Sequence, residues 1–427
     1  MWLKAGVVGV AAITLILGIA ASCVAEKSPD GFSLADGDRV VFFGDSITQA
    51  GLYVEYVDAF LLTRFADQHF TLFNRGISSE TLSGTSEPDH DPPRPDAHER
   101  FARDIVPLNP NVLVACFGMN DGNYHPFDEK LFLAYKAGMR RLIRRTTERT
   151  EARLVFLTPP PFDPYRGRGS DRDARFWGYK YPYIRYDEVL GRYSDWLLTL
   201  GDESCLVVDV HEALNAHIAQ RRRKKVSFHL AGDGVHPNPT GHWLMAQTLL
   251  LAWGSPAEAG SVSIDARSGS AAGGHVDHVR LTGNRLLFEW RTGLPMPMDP
   301  RWDGESVALE RVGEKLNRHT LQVTGLTGKY YDLYAEDVKV GRFAGSQLGN
   351  GIDLLRHAAF PTVRDSGTVL KLVQQRRRLL YQHWRKSLRD GTPVPVGITA
   401  KADELLAEIR ALCKPKPLHI RLEGCDQ

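Results

Sequence analysis

At 427 residues, 43% hydrophobic and 24% charged, the chain has the length of two domains and the composition of a globular protein. Its formal net charge of +2 supplies no broad positive field, which argues against nucleic acid as a partner. The basic runs Arg221-Arg222-Arg223-Lys224-Lys225 and Arg376-Arg377-Arg378 accordingly read as solvated faces.

The first segment reads as an export leader. After Lys4 the stretch Ala5 to Ala25 carries no charge, is dominated by Val, Ala, Ile and Leu, and ends in small residues before Glu26 and Lys27. Residues 1–25 fit a cleaved signal peptide, with Cys23-Val24-Ala25 or Ile19-Ala20-Ala21 as the cleavage site. They also fit a lipoprotein signal, with Ala20-Ala21-Ser22-Cys23 as the lipidation box, or a retained anchor near the ~20 residues that span a bilayer. All three place the protein outside the cytoplasm, as a periplasmic, secreted or membrane-tethered species. Beyond the leader, Cys116 and Cys205 sit in apolar runs and read as buried thiols, whereas Cys413 and Cys425 are candidates for a disulfide. No CxxC or other metal-ligand spacing occurs, and no metal or cofactor is expected.

From about residue 31 to 254, short apolar runs alternate with amphipathic stretches. Strands are expected at Arg39–Phe43, Phe70–Phe73, Val112–Phe117, Arg153–Thr158 and Cys205–Val210; helices are expected near Leu52–Asp67, Asp128–Glu148, Tyr183–Leu200 and Pro239–Trp253. The strand runs lack strict alternation, as parallel strands covered on both faces do. In the last helix Trp243, Ala246, Leu250 and Trp253 share one face, Asn238 supplies the cap and Pro239 the first turn. The alternation predicts a three-layer α/β fold around a parallel sheet. Two long loops, Glu80 to Glu99 and Pro159 to Tyr181, interrupt it, and loops of that length inside a domain are usually functional or mobile. After Gly254 the character changes. Ser255 to Gly274 reads as a linker or irregular crossing, Val276–Trp290 and His319–Arg342 show strand-like alternation, and Leu418–Leu422 reads as a last strand; 255–427 is thus a mixed accessory region, β-rich over 262–345 and helical over 365–413, with no recognisable chemistry.

The chemistry lies where the strands end. The first strand runs into Gly44-Asp45-Ser46-Ile47-Thr48, the second into Asn74-Arg75-Gly76-Ile77-Ser78, the third into Gly118-Met119-Asn120-Asp121, and Asp233-Gly234-Val235-His236-Pro237 precedes the final helix. Open α/β sheets place their ligands at this edge. Singly, each block reads as a helix cap or a turn. A serine hydroxyl needs a base to become a nucleophile near neutral pH, His236 is the residue type for that task, and Asp233, three residues earlier, is placed to orient it. Asp45 and Asp121 are expected to shape their loops through backbone hydrogen bonds, the cluster Asp89, His90, Asp91 and His98 to be solvated, and His242 to be structural.

Together the four blocks resemble the SGNH (GDSL-like) hydrolase family over roughly Val40 to Trp253, with Ser46, Gly76, Asn120 and His236 in the four eponymous positions. The resemblance implies a flavodoxin-like α/β/α fold with a five-stranded parallel sheet. It also implies a serine esterase working through an acyl-enzyme, with Ser46, Asp233 and His236 as catalytic residues and the backbone N–H groups of Ser46 and Gly76 plus the Asn120 amide as oxyanion donors. Exported relatives often deacetylate polysaccharides, which makes an acetylated glycan the expected substrate. Trp177, Tyr179, Arg166 and Arg168, in the second long loop, are candidate sugar contacts, or else the loop aromatics anchor it to the core. The competing readings are a lysophospholipase or thioesterase, and a non-catalytic glycan-binding protein on a hydrolase-like fold.

Overall fold

A computed structural model describes residues 34–166, 169–202 and 205–425; the expected leader, Arg168 and the chain's last two residues lie outside them. Strand β1 (Arg39–Gly44) is followed by the short helix α1 (Ser46–Ala50) and by α2 (Leu52–Arg64), and then by β2 (Thr71–Gly76) and β3 (Val112–Cys116). The unit continues with α3 (Glu129–Arg149), β4 (Arg153–Leu157), α4 (Tyr186–Leu198), β5 (Cys205–Val208), α5 (Val210–Arg222) and α6 (Pro239–Ala252). The five strands form one sheet in the order β2-β1-β3-β4-β5, every pair parallel. This is the doubly wound flavodoxin-like order, whose direction reverses between β1 and β3. All five residues of β3 are buried, which explains its unbroken apolar sequence. Asn238 caps α6 by accepting from the Gly241 N–H at 3.0 Å, with Pro239 in the first turn.

The region after Gly254 holds two further sheets. Strands β6 (Val262–Asp265), β7 (Ser270–Ala272), β8 (His275–Thr282), β9 (Arg285–Thr292), β10 (Thr320–Thr324), β11 (Tyr330–Ala335), β12 (Val338–Ala344) and β13 (Ile352–Asp353) precede two helices, α7 (Pro361–Asp390) and α8 (Val396–Cys413). Strand β14 (Lys416–Cys425) ends the described chain and inserts between β11 and β9. The sheet orders are β13-β10-β6-β7 and β12-β11-β14-β9-β8, and the sheets share a core that includes Ile264, Val323, Trp290, Leu333 and Ile420. Within the stretch 255–274, expected as a linker or irregular crossing that overlaps the β-rich span 262–345, the chain forms β6 and β7. Their Ser- and Ala-rich residues carry little apolar signal, and pairing with β10 supplies what the local sequence lacks.

The accessory region also enters the first core. Leu294, Met296, Trp302, Val369, Val373 and Ile409 belong to the same buried cluster as the parallel sheet. Trp302 stacks on Trp243 with centroids 4.4 Å apart, and Tyr56 donates its hydroxyl to Asp299 at 2.8 Å. The basic runs are not wholly solvated, contrary to expectation. Arg221 is buried and bridges to Asp303 and Glu305. Arg377 is buried against Asp58, with Nε to Oδ2 at 2.9 Å, and donates to the Leu72 carbonyl at 2.9 Å. Guanidinium forks offer several donors at once, and here they join the accessory region to the sheet unit. Cys413 and Cys425 are both free; Cys413 is packed into the core at the end of α8, so no disulfide links them. Among the described residues no helix is long and apolar enough to cross a membrane.

Replacing Arg377 by Met strands the Asp58 carboxylate in a buried site. Urea unfolding of R377M should show a loss of about 3–5 kcal/mol, the usual consequence of breaking one side of a buried pair.

Candidate active site

Ser46 lies one residue beyond Asp45, which caps α1 by accepting the Ile47 N–H at 2.9 Å. Burial raises the Asp45 carboxyl to about 7 against the pull of that hydrogen bond. The cap fixes α1, so Ser46 opens the helix at the carboxyl edge of the sheet, beside the β1/β3 switch point. His236 arrives from the far end of the unit on the turn before α6. Its Nε2 stands 2.8 Å from Ser46 Oγ and its Nδ1 2.7 Å from Asp233 Oδ2. Gly234 makes this turn possible: its φ is +82°, and a Cβ there would meet the Asp163 carbonyl at 2.6 Å.

Asp233 is held from several sides. Its Oδ1 accepts the backbone N–H groups of Val235 at 3.0 Å and His236 at 2.8 Å, and the Tyr179 hydroxyl reaches Oδ2 at 3.4 Å. Burial alone would raise this carboxyl, but the hydrogen bonds from the His236 ring and from the two N–H groups outweigh it. They hold Asp233 well below the usual carboxylate range, so it is ionised at any working pH. His242, on α6, is buried and stacked on Tyr53, and burial lowers its pKa to about 3, consistent with a packing role.

Asn120 follows β3 and is buried. Its Nδ2 donates to the Glu80 carbonyl at 3.1 Å and lies 3.5 Å from Asp45 Oδ2. Its Oδ1 accepts from Arg94 Nη1 at 3.0 Å and from the Tyr124 hydroxyl at 3.3 Å. Asp121 performs the loop-shaping task expected of it, accepting the Leu82 and Ser83 N–H groups at 2.9 and 2.8 Å. Burial raises its pKa to about 6.

Gly76 does not serve as expected. Its N–H is spent on Asn74 Oδ1 at 2.9 Å, and its carbonyl accepts the Tyr381 hydroxyl from α7 at 2.8 Å. Its glycine character serves packing, because a Cβ would fall 2.2 Å from the Gln49 nitrogen in α1. The loop that follows places a further backbone N–H at the site. Ser79 sits at φ +65°, in the left-handed region, and its N–H has no hydrogen-bond partner among the described residues. Ile77 N–H bonds the Gly44 carbonyl at 2.9 Å, Ser78 N–H bonds Gln49 Oε1 at 2.9 Å, and the Glu80 carbonyl touches Asn120. The Ser79 peptide is thereby held between the Ser46 helix and the Asn120 amide. A serine beyond the motif glycine carries no compositional sign of positive φ.

Side chains of the second long loop contact the relay and the core. Tyr179 contacts Asp233 and stands edge-on to His236, with centroids 6.3 Å apart. Trp177 packs edge-on against Tyr183 at 5.2 Å, and Arg166 reaches the His229 ring at 3.4 Å. The largely exposed aromatic faces belong instead to Tyr165 and Phe176. In the first loop, His98 is buried on the Gly138 carbonyl at 3.1 Å, which separates it from exposed Asp89 and Asp91.

A G76A variant tests the packing role. It should push α1, and Ser46 with it, off β2, lowering the melting temperature and ester turnover together; a variant as stable and active as the parent would refute the close contact.

Residues 42–244 match the family model described as GDSL-like Lipase/Acylhydrolase. An acetylxylan esterase of Geobacillus stearothermophilus is 24% identical over 238 residues, which span 51% of this chain and 94% of that protein. A solved structure of an acetylxylan esterase from the same organism covers 52% of this chain and 97% of its own at 22% identity, with a TM-score of 0.39. A gut microbial diltiazem-metabolizing enzyme matches over 92% of this chain and 98% of its own, at 22% identity and a TM-score of 0.79. That last likeness extends the shared fold across the C-terminal sheets and helices. The four strand-end blocks, the sheet order and the match agree: residues 42–244 form a unit of the GDSL-like lipase/acylhydrolase (SGNH) family.

Proposed function

We propose that the chain is a serine esterase that removes small acyl groups, acetyl foremost, from a carbohydrate outside the cytoplasm. The observation that carries this reading is the continuous relay from Ser46 Oγ through the His236 ring to Asp233, with contacts of 2.8 and 2.7 Å. In this reading His236 Nε2 takes the Ser46 proton as Oγ attacks the ester carbonyl, and ionised Asp233 stabilises the imidazolium. The oxyanion is held by the N–H groups of Ser46 and Ser79 and by Asn120 Nδ2, with Ser79 taking the place first given to Gly76. Collapse expels the alkoxide, which takes the proton from His236. Water then gives its proton to the same nitrogen as it attacks the acyl-serine; collapse breaks the bond to Ser46 Oγ, which takes that proton back, and the carboxylic acid departs.

Support for the acyl group and the polymer comes from the acetylxylan esterase relative and from the second long loop, which reaches the relay through Tyr179 and carries exposed rings at Tyr165 and Phe176. Support for the compartment comes from the apolar leader, which also leaves a membrane tether open to this chain.

The test is acetate release from acetylated xylan, pectin and sulfated glycans. S46A and H236A should lose on the order of 10⁴–10⁶-fold in turnover, and D233N less than either. Release from none of these, with turnover of lysophospholipid or a thioester, would move the substrate to lipids; folded protein that hydrolyses no ester and is inert to a serine-reactive phosphonate would be a binding protein.

A further inference from the structure

The first long loop contains a buried ion pair that no step of the esterase reaction uses. Arg94 and Glu87 are 6% and 3% exposed, and they meet fork to fork, Nε to Oε2 at 2.5 Å and Nη2 to Oε1 at 2.6 Å. Arg94 stands over the Tyr124 ring at 5.6 Å. Such a pair is a poor source of stability, since an apolar pair of similar volume usually does as well. Its other contacts point to a different use.

The remaining Arg94 nitrogen, Nη1, donates to Asn120 Oδ1 at 3.0 Å. On the partner side, Glu87 Oε1 accepts the Tyr179 N–H at 3.3 Å, and the Tyr179 hydroxyl reaches Asp233 Oδ2. One ion pair thus touches the amide proposed for the oxyanion and, through Tyr179, the carboxylate that orients His236. It also ties the two long loops together over the reaction centre.

We propose that Glu87 and Arg94 are positioning residues that select the productive orientation of the Asn120 amide. A carboxamide can turn by 180° and exchange its oxygen for its nitrogen with little change in shape. A guanidinium is a donor in every state and cannot accept. Arg94 therefore rejects the turned amide, whose NH₂ would face a cation, and acts with the Glu80 carbonyl, an obligate acceptor on the other side, to hold Nδ2 toward the Ser46 side. Tyr124 adds a second donor to Oδ1, but its hydroxyl can also accept, so it does not discriminate between the two orientations. Glu87 neutralises the buried cation and fixes its plane. The inference rests on the esterase reading, in which Asn120 meets the developing oxyanion.

The experiment uses the full chain and a short-chain chromogenic acetate ester, with kcat and KM measured separately. Hydrolysis by the parent, and its loss in S46A, decide the esterase reading without reference to the pair. E87M/R94M removes both charges together, so no unpaired ion is left in the core. It should keep a parent-like melting curve and a KM within about 3-fold of the parent, while kcat falls about 10–100-fold, short of the 10²–10³-fold expected when an oxyanion donor is deleted. Adding N120A to E87M/R94M should cost no more than N120A alone, because the pair acts through that amide. If the double variant does not fold, R94K serves, since a lysine can pair with Glu87 but cannot also span to Asn120. Its loss of kcat should likewise vanish in the N120A background. A parent-like kcat in the folded variants, or losses that multiply with N120A, would overturn the proposal.

Discussion

The hydrogen bond between Ser46 and His236 joins residues 190 positions apart in the chain, and most of the first unit can be read as the means of making it. Ser46 is delivered by β1, at the point where the strand order reverses and the loops after β1 and β3 diverge. His236 is delivered by the turn that leads into α6, whose Trp243 face is buried under the accessory region. Neither side chain tolerates much displacement, because a serine is activated only within hydrogen-bond reach of its base. The local devices serve that tolerance: the Asp45 cap, the left-handed Gly234, and the flush contact of Gly76 with α1.

This dependence explains the investment in buried charge around the site. Glu80 is paired with Arg100, Glu87 with Arg94, and Asp58 with Arg377, all largely out of water. The first two pairs close the long loop after β2 on itself, and the third joins α2 to α7. Ion pairs add little net stability but penalise alternative arrangements, which suits loops that must hold one geometry without a ladder of backbone hydrogen bonds. The accessory region takes part, since Arg377 and Tyr381 of α7 reach the Leu72 and Gly76 carbonyls on the edge strand β2.

The sheet and the relay were legible in the sequence because both depend on local signals: unbroken apolar runs for Val112–Cys116 and Arg153–Leu157, and short polar blocks just beyond them. What was not legible depends on partners remote in sequence. The N–H of Gly76 is consumed by Asn74, and the positive φ of Ser79 leaves no mark on composition. Helix α5 escaped notice because its His-, Glu- and Arg-rich sequence has a weak apolar face. Two of its side chains are instead satisfied from the accessory region, His217 by Ser306 and Glu310, and Arg221 by Asp303. The run Arg376-Arg377-Arg378 looked solvated for the same reason: its acidic counterpart, Asp58, stands 319 residues away from Arg377.

The central claim is that one serine hydroxyl, made nucleophilic by His236, carries the acyl group. Mass spectrometry of the protein after treatment with a fluorophosphonate, with peptide mapping of the adduct, measures this most directly. The account predicts a single adduct, on Ser46, whose formation slows by orders of magnitude in H236A. An adduct on a different residue, or the same rate of labelling without the imidazole, would contradict it.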